Sequence, residues 1–539
     1  MGGIHMARRP DSSSARPGRR RSARGIVAVL ALGVALGAAW TTPLSSAGAA
    51  SSNDSGGVIK MPYDLTAFGG VKFDPTTPSN PNDWYMQQWL YDSLLRQNAD
   101  GSYSPGLAKS ATVTDPQTIV VELKPGIKFS DGTPVDAEAA KFSIERTLAA
   151  NNVGSDRAEL REISAITVDS PTKLTISLKT PIAGQFYNLL AHGETYVVSP
   201  TAVKSGTSLD PKPGGAGPFL LDSFTPESTA VFKRNPNYYD KKKIKLAGIE
   251  LVQASAQDPQ APITAMLDGI TNVAQLGGVT GTEALTSAGI KVDIKASDTT
   301  ATYGALCKSK PPFDNVKVRQ AINYAVDRDQ LNQLVYGGTS QPMWAHVTKQ
   351  NALFNPKLDN YYKRDVKKAN KLLKEAGAEN LTFDLITNLT ADTTRVGEII
   401  KEQMAEAGIT VNLVNTTNIV QEFFTDGKVP SALIPLRRAG LDKITRNLAP
   451  GSIGDTCGYD DPKLNAFITK LKAMDASTKE YRQTWWDMDK YVVENALHLF
   501  LIWAPTVNAY NPETVPKAFY RPDVLGYPRF DVFKLSAKS

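Results

Sequence analysis

Hydrophobic positions recur with two periods along the chain, and each period predicts a different element. Residues Thr118–Leu123 and Lys173–Leu178 are short β-branched segments bounded by turn residues, which predicts two strands. Residues 136–149 carry apolar side chains at helical spacing behind Asp136, a residue type that caps helix N-termini. Strand and helix patterns alternate in this way through most of the chain. The pattern therefore predicts an α/β or α+β protein.

Residues 366–414 repeat one plan twice. A segment with apolar residues at helical spacing ends at a glycine, Gly377 or Gly408, and a short apolar strand follows at 381–386 or 409–414. Parallel strands joined through a helix are the usual outcome of such alternation. This region therefore predicts a βαβ unit within a separate α/β lobe.

The size and composition of the chain allow a buried core and more than one domain. It has 539 residues, of which 41% are hydrophobic and 21% are charged. Two cysteines and four histidines are too few for a disulfide-built scaffold, a four-cysteine zinc site or a histidine-rich metal site. Cys307 and Cys457 either form one disulfide or remain two buried thiols, and we favour the disulfide.

The first fifty residues have the pattern of a signal peptide. They contain seven arginines and one acidic residue, followed by a 15-residue apolar run over 26–40 and small residues at 47–49. About 20 apolar residues are needed to span a bilayer, so an uncleaved anchor is the less favoured alternative. No cysteine lies at the end of the leader, where a lipid would be attached. We therefore expect an exported protein without a lipid anchor, periplasmic or associated with the cell envelope.

The basic character of the chain belongs to this leader. The formal net charge of the whole chain is +6, whereas residues 51–539 contain 53 basic and 53 acidic residues. A basic surface for nucleic acid is therefore not expected, and we predict no nucleic-acid partner.

Common catalytic motifs do not occur in the sequence. It has no G-x-S-x-G, no phosphate-binding P-loop, no H-E-x-x-H and no G-x-G-x-x-G between a strand and a helix. His192, His346 and His498 are far apart in sequence, and His498 lies in an apolar run that predicts a core position. We expect no enzyme activity, no cofactor and no metal site, although a carboxylate pair of the glycosidase type stays open.

Several motifs occur in a fixed order along the chain. They are Tyr91-Asp-Ser-Leu-Leu95, the stretch from Val121 to Pro134 containing Phe-Ser-Asp-Gly-Thr-Pro, Pro213-Gly-Gly-Ala-Gly-Pro-Phe219, Phe232-Lys-Arg-Asn-Pro-Asn-Tyr-Tyr239, the stretch from Pro312 to Arg328, and Gly458-Tyr-Asp-Asp-Pro462. Together they closely resemble the large extracellular solute-binding proteins of the peptide/nickel class, family 5, which serve ABC importers. The resemblance covers roughly residues 58–535.

The resemblance implies a two-lobed α/β fold of the periplasmic-binding-protein type (type II, large cluster), with a hinge and a ligand cleft between the lobes. Lobe 1 would comprise residues 51–303, with a subdomain at about 88–216, and the chain would return to it over 504–539. Lobe 2 would be the continuous insertion 304–503. Ligand would be enclosed by hinge closure, and the closed form would dock on a membrane permease. A monomer is expected.

The resemblance also places a ligand-anchoring carboxylate near residue 442. Peptide-binding members hold an Asp there for the amino group of the ligand, and Asp442 lies near that place, whereas Arg437 and Arg438 replace a small-aromatic sequence. A guanidinium favours an anionic ligand, so either arginine facing the cleft would indicate an acid as cargo. The alternative is that both lie on the surface or in ion pairs.

Three aromatic residues are further candidates for ligand contact. Trp84 and Tyr85 resemble in position the first cleft-facing segment of the family, and Trp344 lies in a predicted loop of lobe 2. The alternative for Trp84 and Tyr85 is packing beneath lobe 1. The sequence therefore predicts capture of an oligopeptide or a related medium-sized polar solute for an ABC importer. The alternatives are a small carboxylate or aromatic acid on the same fold, a secreted hydrolase, and an adhesion or sensing role.

Overall fold

The computed structural model describes residues 56–538, except 67–69, 78–80, 99–101, 151–154, 207–208, 211, 256–257, 389–390, 417–418, 438–439, 453, 455–456, 519, 523–527 and 533–534. The predicted leader, residues 1–50, lies outside this set. Within it, no helix is both long enough and apolar enough to cross a bilayer.

Eighteen strands lie in the part of the chain that the structure describes. In chain order they are β1 (Val58–Tyr63), β2 (Leu95–Gln97), β3 (Tyr103–Pro105), β4 (Ala108–Asp115), β5 (Thr118–Leu123), β6 (Ile163–Ser170), β7 (Lys173–Leu178), β8 (Phe219–Thr225), β9 (Thr229–Arg234), β10 (Gly248–Gln253), β11 (Val273–Leu276), β12 (Lys291–Leu306), β13 (Thr382–Asn388), β14 (Thr410–Thr416), β15 (Ser431–Arg437), β16 (Leu499–Tyr510), β17 (Tyr520–Pro522) and β18 (Pro528–Phe530).

The α-helices pack against these strands. In chain order they are α1 (Pro81–Leu90), α2 (Ala137–Ala149), α3 (Phe186–Leu190), α4 (Pro200–Lys204), α5 (Ala261–Leu267), α6 (Thr282–Ser287), α7 (Val316–Ala325), α8 (Arg328–Tyr336), α9 (Val366–Glu375), α10 (Ala391–Ala405), α11 (Gly440–Leu448), α12 (Pro462–Ala473) and α13 (Lys479–Glu494). Short 3-10 helices occupy Ser155–Glu162, Ala183–Gln185, Gly193–Thr195, Lys241–Lys243 and Pro356–Leu358, and a π-helix occupies Val420–Thr425.

Local sequence accounts for several of these elements. The carboxylate of Asp136 accepts a hydrogen bond from the backbone N–H of Ala139 at 2.8 Å and so caps α2. Gly377 and Gly408 follow α9 and α10 with φ of +65° and +71°, a left-handed conformation that favours glycine. Strands β13 and β14, on either side of α10, pair in parallel. The predicted strands at β5 and β7 and the predicted βαβ unit are therefore confirmed.

The strands form three main sheets and two small ribbons. One sheet has the order β1-β10-β9-β8, with β1 parallel to β10, and a second has the antiparallel order β4-β5-β7-β6. The third is six-stranded, with the order β11-β16-β12-β15-β13-β14. Strands β2 with β3 and β17 with β18 form the ribbons.

Two long strands, β12 and β16, connect the two ends of the six-stranded sheet. They pair antiparallel, with register shifts between Ala296 and Ala301 and between Thr302 and Gly304. One half of the pair lies beside β11, and the other half lies beside β15. Both chain crossings between the ends of this sheet therefore lie side by side, which is the arrangement expected at a hinge.

The hydrophobic cores support a division into lobes at these strands. One core draws its buried residues from 301–503, and a second draws them from 94–216. A third joins residues 59–91 with the chain end, including Val515 and Leu535. We propose on this basis that lobe 2 is 304–503, that lobe 1 is 51–303 with its subdomain at about 88–216, and that 504–539 returns to lobe 1.

The two cysteines are joined as a disulfide. Cys307 follows β12 and is buried, and it bonds to Cys457, 150 residues later, in the loop before α12. In the chain-entropy model a loop of this length contributes about 5 kcal/mol to stability. The bond ties two segments of the 301–503 core together.

Candidate functional site

A cavity of about 840 Å³ lies where the predicted lobes meet. Its walls come from three parts of the chain. The first is the subdomain of lobe 1, the second is the pair β12 and β16, and the third is lobe 2, through its loops at 339–341 and 348–353, the start of α11 and the segment 471–482. A cavity of this size suits a medium-sized ligand.

The two lobes touch at one edge of this cavity. The hydroxyl of Tyr187, on α3, lies 3.2 Å from Asp475 Oδ2 and 3.1 Å from the carbonyl oxygen of Ala111. Beside it, Gly184 packs against the backbone of Met474, where an ideal Cβ would lie 1.8 Å from the carbonyl oxygen. Since only a hydrogen fits at Gly184, this contact depends on glycine.

The lobe 2 side of this edge is fixed by helix capping. The Asp475 carboxylate accepts hydrogen bonds from the backbone N–H and the hydroxyl of Ser477, at 2.8 and 2.7 Å. Thr478 then caps α13 by accepting from the backbone N–H of Tyr481 at 3.1 Å. The turn before α13 thereby presents Asp475 to Tyr187.

Tyr103 and Asp442 approach each other from opposite lobes. Tyr103 lies on β3, packs against the ring of Tyr187 at 5.8 Å and lines the cavity with Asp442, in the first turn of α11. Burial raises the pKa of Tyr103 well above its usual range, with further increases from Tyr481 and from the Asp442 carboxylate. The phenol therefore stays protonated, beside the Asp442 carboxylate.

A second carboxyl group, that of Glu159, lies beside the cavity lining. Glu159 accepts a hydrogen bond from Nε2 of Gln185, a cavity residue, at 2.8 Å. Burial raises the pKa of Glu159 above its ordinary value and Asp442 raises it further, while Lys472 lowers it. Positive ligand groups are favoured where such carboxylates gather.

Strands β12 and β16 form the hinge side of the cavity. In their register Lys295 lies opposite Thr506, and Asp293 lies opposite Asn508. Directly opposed residues and residues two apart share one face of a sheet. Lys295, Thr506 and Asn508 accordingly all line the cavity. Lys295, together with Arg482 on α13, supplies positive charge to the lining.

Three side-chain amides in the lining, those of Gln97, Gln185 and Asn508, have a buried oxygen atom without a hydrogen-bond partner among the described residues, and two of these side chains are almost completely buried. Gln97, at the end of β2, is 5% exposed, and Asn508 is 3% exposed. The buried amide oxygens of both side chains have no hydrogen-bond partner among the described residues. Both residues line the cavity, so their amides lie where a ligand would be held.

Of the residues predicted to contact ligand, Asp442 lines the cavity. Arg437 ends β15, where its backbone pairs with Thr300, close in sequence to α11. Arg438 lies outside the described residues. Ligand contact by the two arginines therefore stays a prediction.

The structure does not bring Trp84 and Tyr85 to the cavity. Trp84 packs edge-on against the ring of His192 at 4.8 Å, and Tyr85 packs against Trp89 at 4.9 Å. Both lie on α1 and are buried in the core of lobe 1, because this helix covers the sheet that contains β8 and β9. This placement matches the packing alternative and gives no support to ligand contact.

Trp344 is also placed in a core. The guanidinium carbon of Arg328 lies 5.1 Å from its ring centroid, and the Trp344 side chain is 5% exposed within the 301–503 core. Burial lowers the pKa of Arg328 to about 9. The loops on either side of Trp344 line the cavity, while its ring packs on this buried cation.

Two histidines that are distant in sequence are adjacent in the structure. His346 Nδ1 lies 2.7 Å from Asp489 Oδ1, and His346 Nε2 lies 3.0 Å from His498 Nδ1. We call these three residues the histidine cluster. All are at most 2% exposed, so His498 is a core residue as predicted, and substrate has no access to a base here. Burial lowers the pKa of His498 well below its usual value, and the charges of His346 and Lys308 lower it further.

Sequence reasoning missed most of the cavity lining. Asp475, Ser477 and Thr478 carry a recognisable signal for a helix start, but nothing in that signal indicates a cleft. Gln97, Tyr103 and Asn508 lie on strands, and their common location depends on how three distant segments meet. Among the described residues, no group of three or more His, Cys, Asp or Glu side chains could hold a metal ion.

Comparisons with known proteins agree with this architecture. A family model, bacterial extracellular solute-binding proteins, family 5 (middle), matches residues 102–434. The glutathione-binding protein GsiB of Escherichia coli (strain K12) is 30% identical over 356 residues, which are 64% of this chain and 68% of that protein. GsiB of Shigella flexneri serotype 5b gives the same identity and coverage.

Solved structures show the same fold. The periplasmic murein tripeptide binding protein MppA, in an unliganded open form, has a TM-score of 0.77 at 18% identity, covering 90% of this chain and 98% of its own. The ABC transporter substrate-binding protein CtaP from Listeria monocytogenes has a TM-score of 0.76 at 20% identity, with 90% and 100% coverage. The fold is therefore the two-lobed α/β fold of binding proteins. By its family model and its relatives, the chain belongs to the bacterial extracellular solute-binding proteins of family 5, the substrate-binding components of ABC transporters.

Proposed function

We propose that this protein captures short peptides, or related solutes that carry an amino group, and delivers them to an ABC permease. The observation that carries the proposal is the cavity of about 840 Å³ between the lobes, with carboxylates in and beside its lining. Ligand pockets of about 300–1,000 Å³ hold drug-sized ligands, so a tripeptide fits within this volume.

Asp442 is the proposed anchor for the amino group. It lines the cavity at the start of α11, close enough to Tyr103 for the Asp442 carboxylate to raise the pKa of that phenol. Closure of the lobes removes the pair of charges from water, which strengthens the attraction between an ammonium group and a carboxylate. Lys295 and Arg482 would serve the carboxylate end of the same ligand.

The relatives support a peptide as cargo. The GsiB proteins bind glutathione according to their name, and they are 30% identical to this chain. We also propose that the protein works outside the cytoplasm after removal of residues 1–50, without a lipid anchor. It would act without enzyme activity, as expected from relatives that are solute-binding proteins.

A small carboxylate or aromatic acid is the second candidate ligand. Two cations, Lys295 and Arg482, line the cavity, and β15 ends at Arg437, close in sequence to α11. If Arg437 and Arg438 anchor an acid, replacing both by alanine lowers affinity for acids by at least tenfold. Unchanged affinity for acids would contradict this role.

A ligand panel tests the proposed function. The purified protein is heated with glutathione, trialanine, other di- to pentapeptides, dicarboxylic acids and aromatic acids. A ligand that binds only the folded state adds about 2.7 kcal/mol of stability at a hundredfold excess over its Kd, so peptides are expected to raise Tm. Shifts with acids alone would favour the second candidate.

The substitution Asp442→Asn tests whether Asp442 binds the amino group of the ligand. The substitution removes the negative charge at nearly constant size, and we expect affinity for trialanine to fall at least tenfold because a charge-assisted hydrogen bond is lost. N-acetyl-trialanine, which lacks the ammonium group, should bind both proteins weakly and equally. Equal affinity of both proteins for trialanine would contradict the role of Asp442 as the anchor for the amino group.

A further inference from the structure

Gln97 and Asn508 present an unusual pair of groups to the cavity. One lies on β2 in lobe 1 and the other on the hinge strand β16, so they belong to two different walls. Both side chains are more than nine-tenths buried, at 5% and 3% exposure. Their amide oxygens lack a hydrogen-bond partner among the described residues.

Asn235 and Asn332 are buried amides outside the cavity whose hydrogen bonds are satisfied, whereas Oε1 of the buried Gln87 also lacks a partner among the described residues. Asn235, 2% exposed, donates from Nδ2 to the carbonyl oxygen of Gly217 at 2.9 Å and accepts from the backbone N–H of Asn237 at 3.0 Å. Asn332 exchanges two hydrogen bonds with the backbone of Ser340. Buried polar groups are normally paired in this way, so an unpaired one facing a cavity calls for an explanation.

We propose that the side-chain amides of Gln97 and Asn508 are specificity-determining groups that bind unsubstituted peptide groups of the ligand. This inference rests on the proposed function and names the part of the cargo that is recognised. A side-chain amide carries one acceptor and two donors, the same groups as a peptide bond, so the two can pair through N–H···O=C contacts. Closure on a peptide then supplies the missing partners.

The pairing gives selectivity against ligands without peptide N–H groups. When a ligand lacks the donor, the buried amide oxygen stays unpaired in the closed state, and the complex loses affinity. N-methylated peptides keep the carbonyl groups and lose the donor, so they are the matched probes. We expect N-methyl-trialanine analogues methylated at one peptide nitrogen to bind at least tenfold more weakly than trialanine.

Two apolar substitutions of similar size test the two amides. For Asn508→Leu and Gln97→Met we expect about tenfold to hundredfold weaker binding of trialanine. We also expect their preference for trialanine over the N-methylated peptides to shrink toward unity. The melting temperature of each free variant should equal or exceed that of the wild type, because an unpaired buried polar group has been removed.

This combination separates ligand recognition from a structural role. The control Asn235→Leu removes a satisfied amide outside the cavity, so it should lower Tm and leave peptide affinity unchanged. Asn508→Asp and Gln97→Glu keep the acceptor oxygens, so they should retain the discrimination against N-methylated peptides if the oxygens accept from the ligand. Loss of that discrimination in both acidic variants would overturn the proposal.

The outcomes distinguish failure of this inference from failure of the proposed function on which it rests. If trialanine, glutathione and the other peptides do not bind wild-type protein, the proposed function and this inference both fail. If peptides bind and the Leu and Met variants bind them as tightly as wild type with equal discrimination, only this inference fails. Weaker binding together with undiminished Tm and lost discrimination supports it.

Discussion

Two buried polar clusters of this protein differ in how far the fold completes their hydrogen bonds. In the histidine cluster, Asp489, His346 and His498 are bonded to one another, and Lys443 donates to the backbone oxygen of His346 at 2.7 Å. In the cavity, the amide oxygens of Gln97 and Asn508 have no partner among the described residues. Both sets of groups are almost completely buried.

We attribute the difference to role: the histidine cluster holds the fold, and the two amides, on the inference above, receive their partners from a ligand. A buried polar group without a partner costs about 1–3 kcal/mol, whereas a satisfied one contributes modestly to stability. The unpaired amide oxygens gain no hydrogen bond on folding. On the inference above, the cost of burying them is offset when a ligand supplies the partners. The histidine cluster, closed to solvent, should affect stability without affecting selectivity.

The largest effect is expected when the histidine cluster is broken. Asp489→Ala removes the only carboxylate of the cluster and leaves His346 Nδ1 unpaired in a site that water does not reach. We expect the free energy of unfolding to fall by about 3 kcal/mol or more. Denaturant unfolding followed by circular dichroism measures it.

The control is on the same helix. Asp487 is exposed on α13, so Asp487→Ala should change the unfolding free energy by no more than about 0.5 kcal/mol. Calorimetric titration of Asp489→Ala with trialanine, at a temperature where it is folded, should give wild-type affinity. A matching loss of affinity would show that the two clusters are not independent.

The second effect concerns closure at the edge where the lobes touch. An alanine at Gly184 would place Cβ 1.8 Å from the carbonyl oxygen of Met474, so the lobes must separate to accept it. Overpacking of this kind costs about 1–3 kcal/mol, and ligand affinity should fall about tenfold to hundredfold. Calorimetry gives the affinity, and small-angle X-ray scattering with saturating trialanine gives the extent of closure.

A glycine in open surroundings provides the comparison. An ideal Cβ at Gly277 meets nothing within 4 Å, and the residue is exposed, so Gly277→Ala should bind ligand as the wild type does. Wild-type affinity in Gly184→Ala would mean that this edge contact is absent from the ligand-bound state.

A smaller effect is expected from the hydrogen bond at the same edge. Burial, and then Asp475, raise the pKa of Tyr187 to about 12, so its hydroxyl stays protonated and donates at neutral pH. Tyr187→Phe removes a bond worth about 0.5–1.5 kcal/mol, so affinity should fall by about twofold to tenfold. Tyr459→Phe, which removes a Tyr–Asp bond to Asp461 within lobe 2, is the matched control and should leave affinity unchanged.

The elements of this fold were more predictable than its site. Local chemistry determines β5, β7 and the capped α2, because β-branched residues and an Asp N-cap act over a few positions. The βαβ unit at β13 and β14 followed from two glycine stops in the same way. These signals are complete within short stretches of sequence.

The cavity depends on contacts that no short stretch contains. Asp442 was predicted to lie in the cavity because the family resemblance gave its approximate place. Trp84 and Trp344 were predicted to contact ligand because they are aromatic, but the structure buries both in cores. Gln97 and Asn508 are separated by 411 positions, and no local pattern marks their amides as unpaired. Long-range packing decides which polar groups find partners.

The smallest effect is expected at Glu159, which couples the cavity to pH. Burial and the nearby Asp442 raise the pKa of its carboxyl group, so the folded state holds this proton more tightly than the unfolded state. That contribution to stability is complete below about pH 4 and is lost as pH rises through the raised pKa. Glu159→Gln keeps the hydrogen bond with Gln185 and removes the titration, so its Tm should exceed that of wild type by about 1–2 °C at pH 7. The difference should shrink toward zero at pH 4, and a difference independent of pH would place the effect in packing rather than in charge.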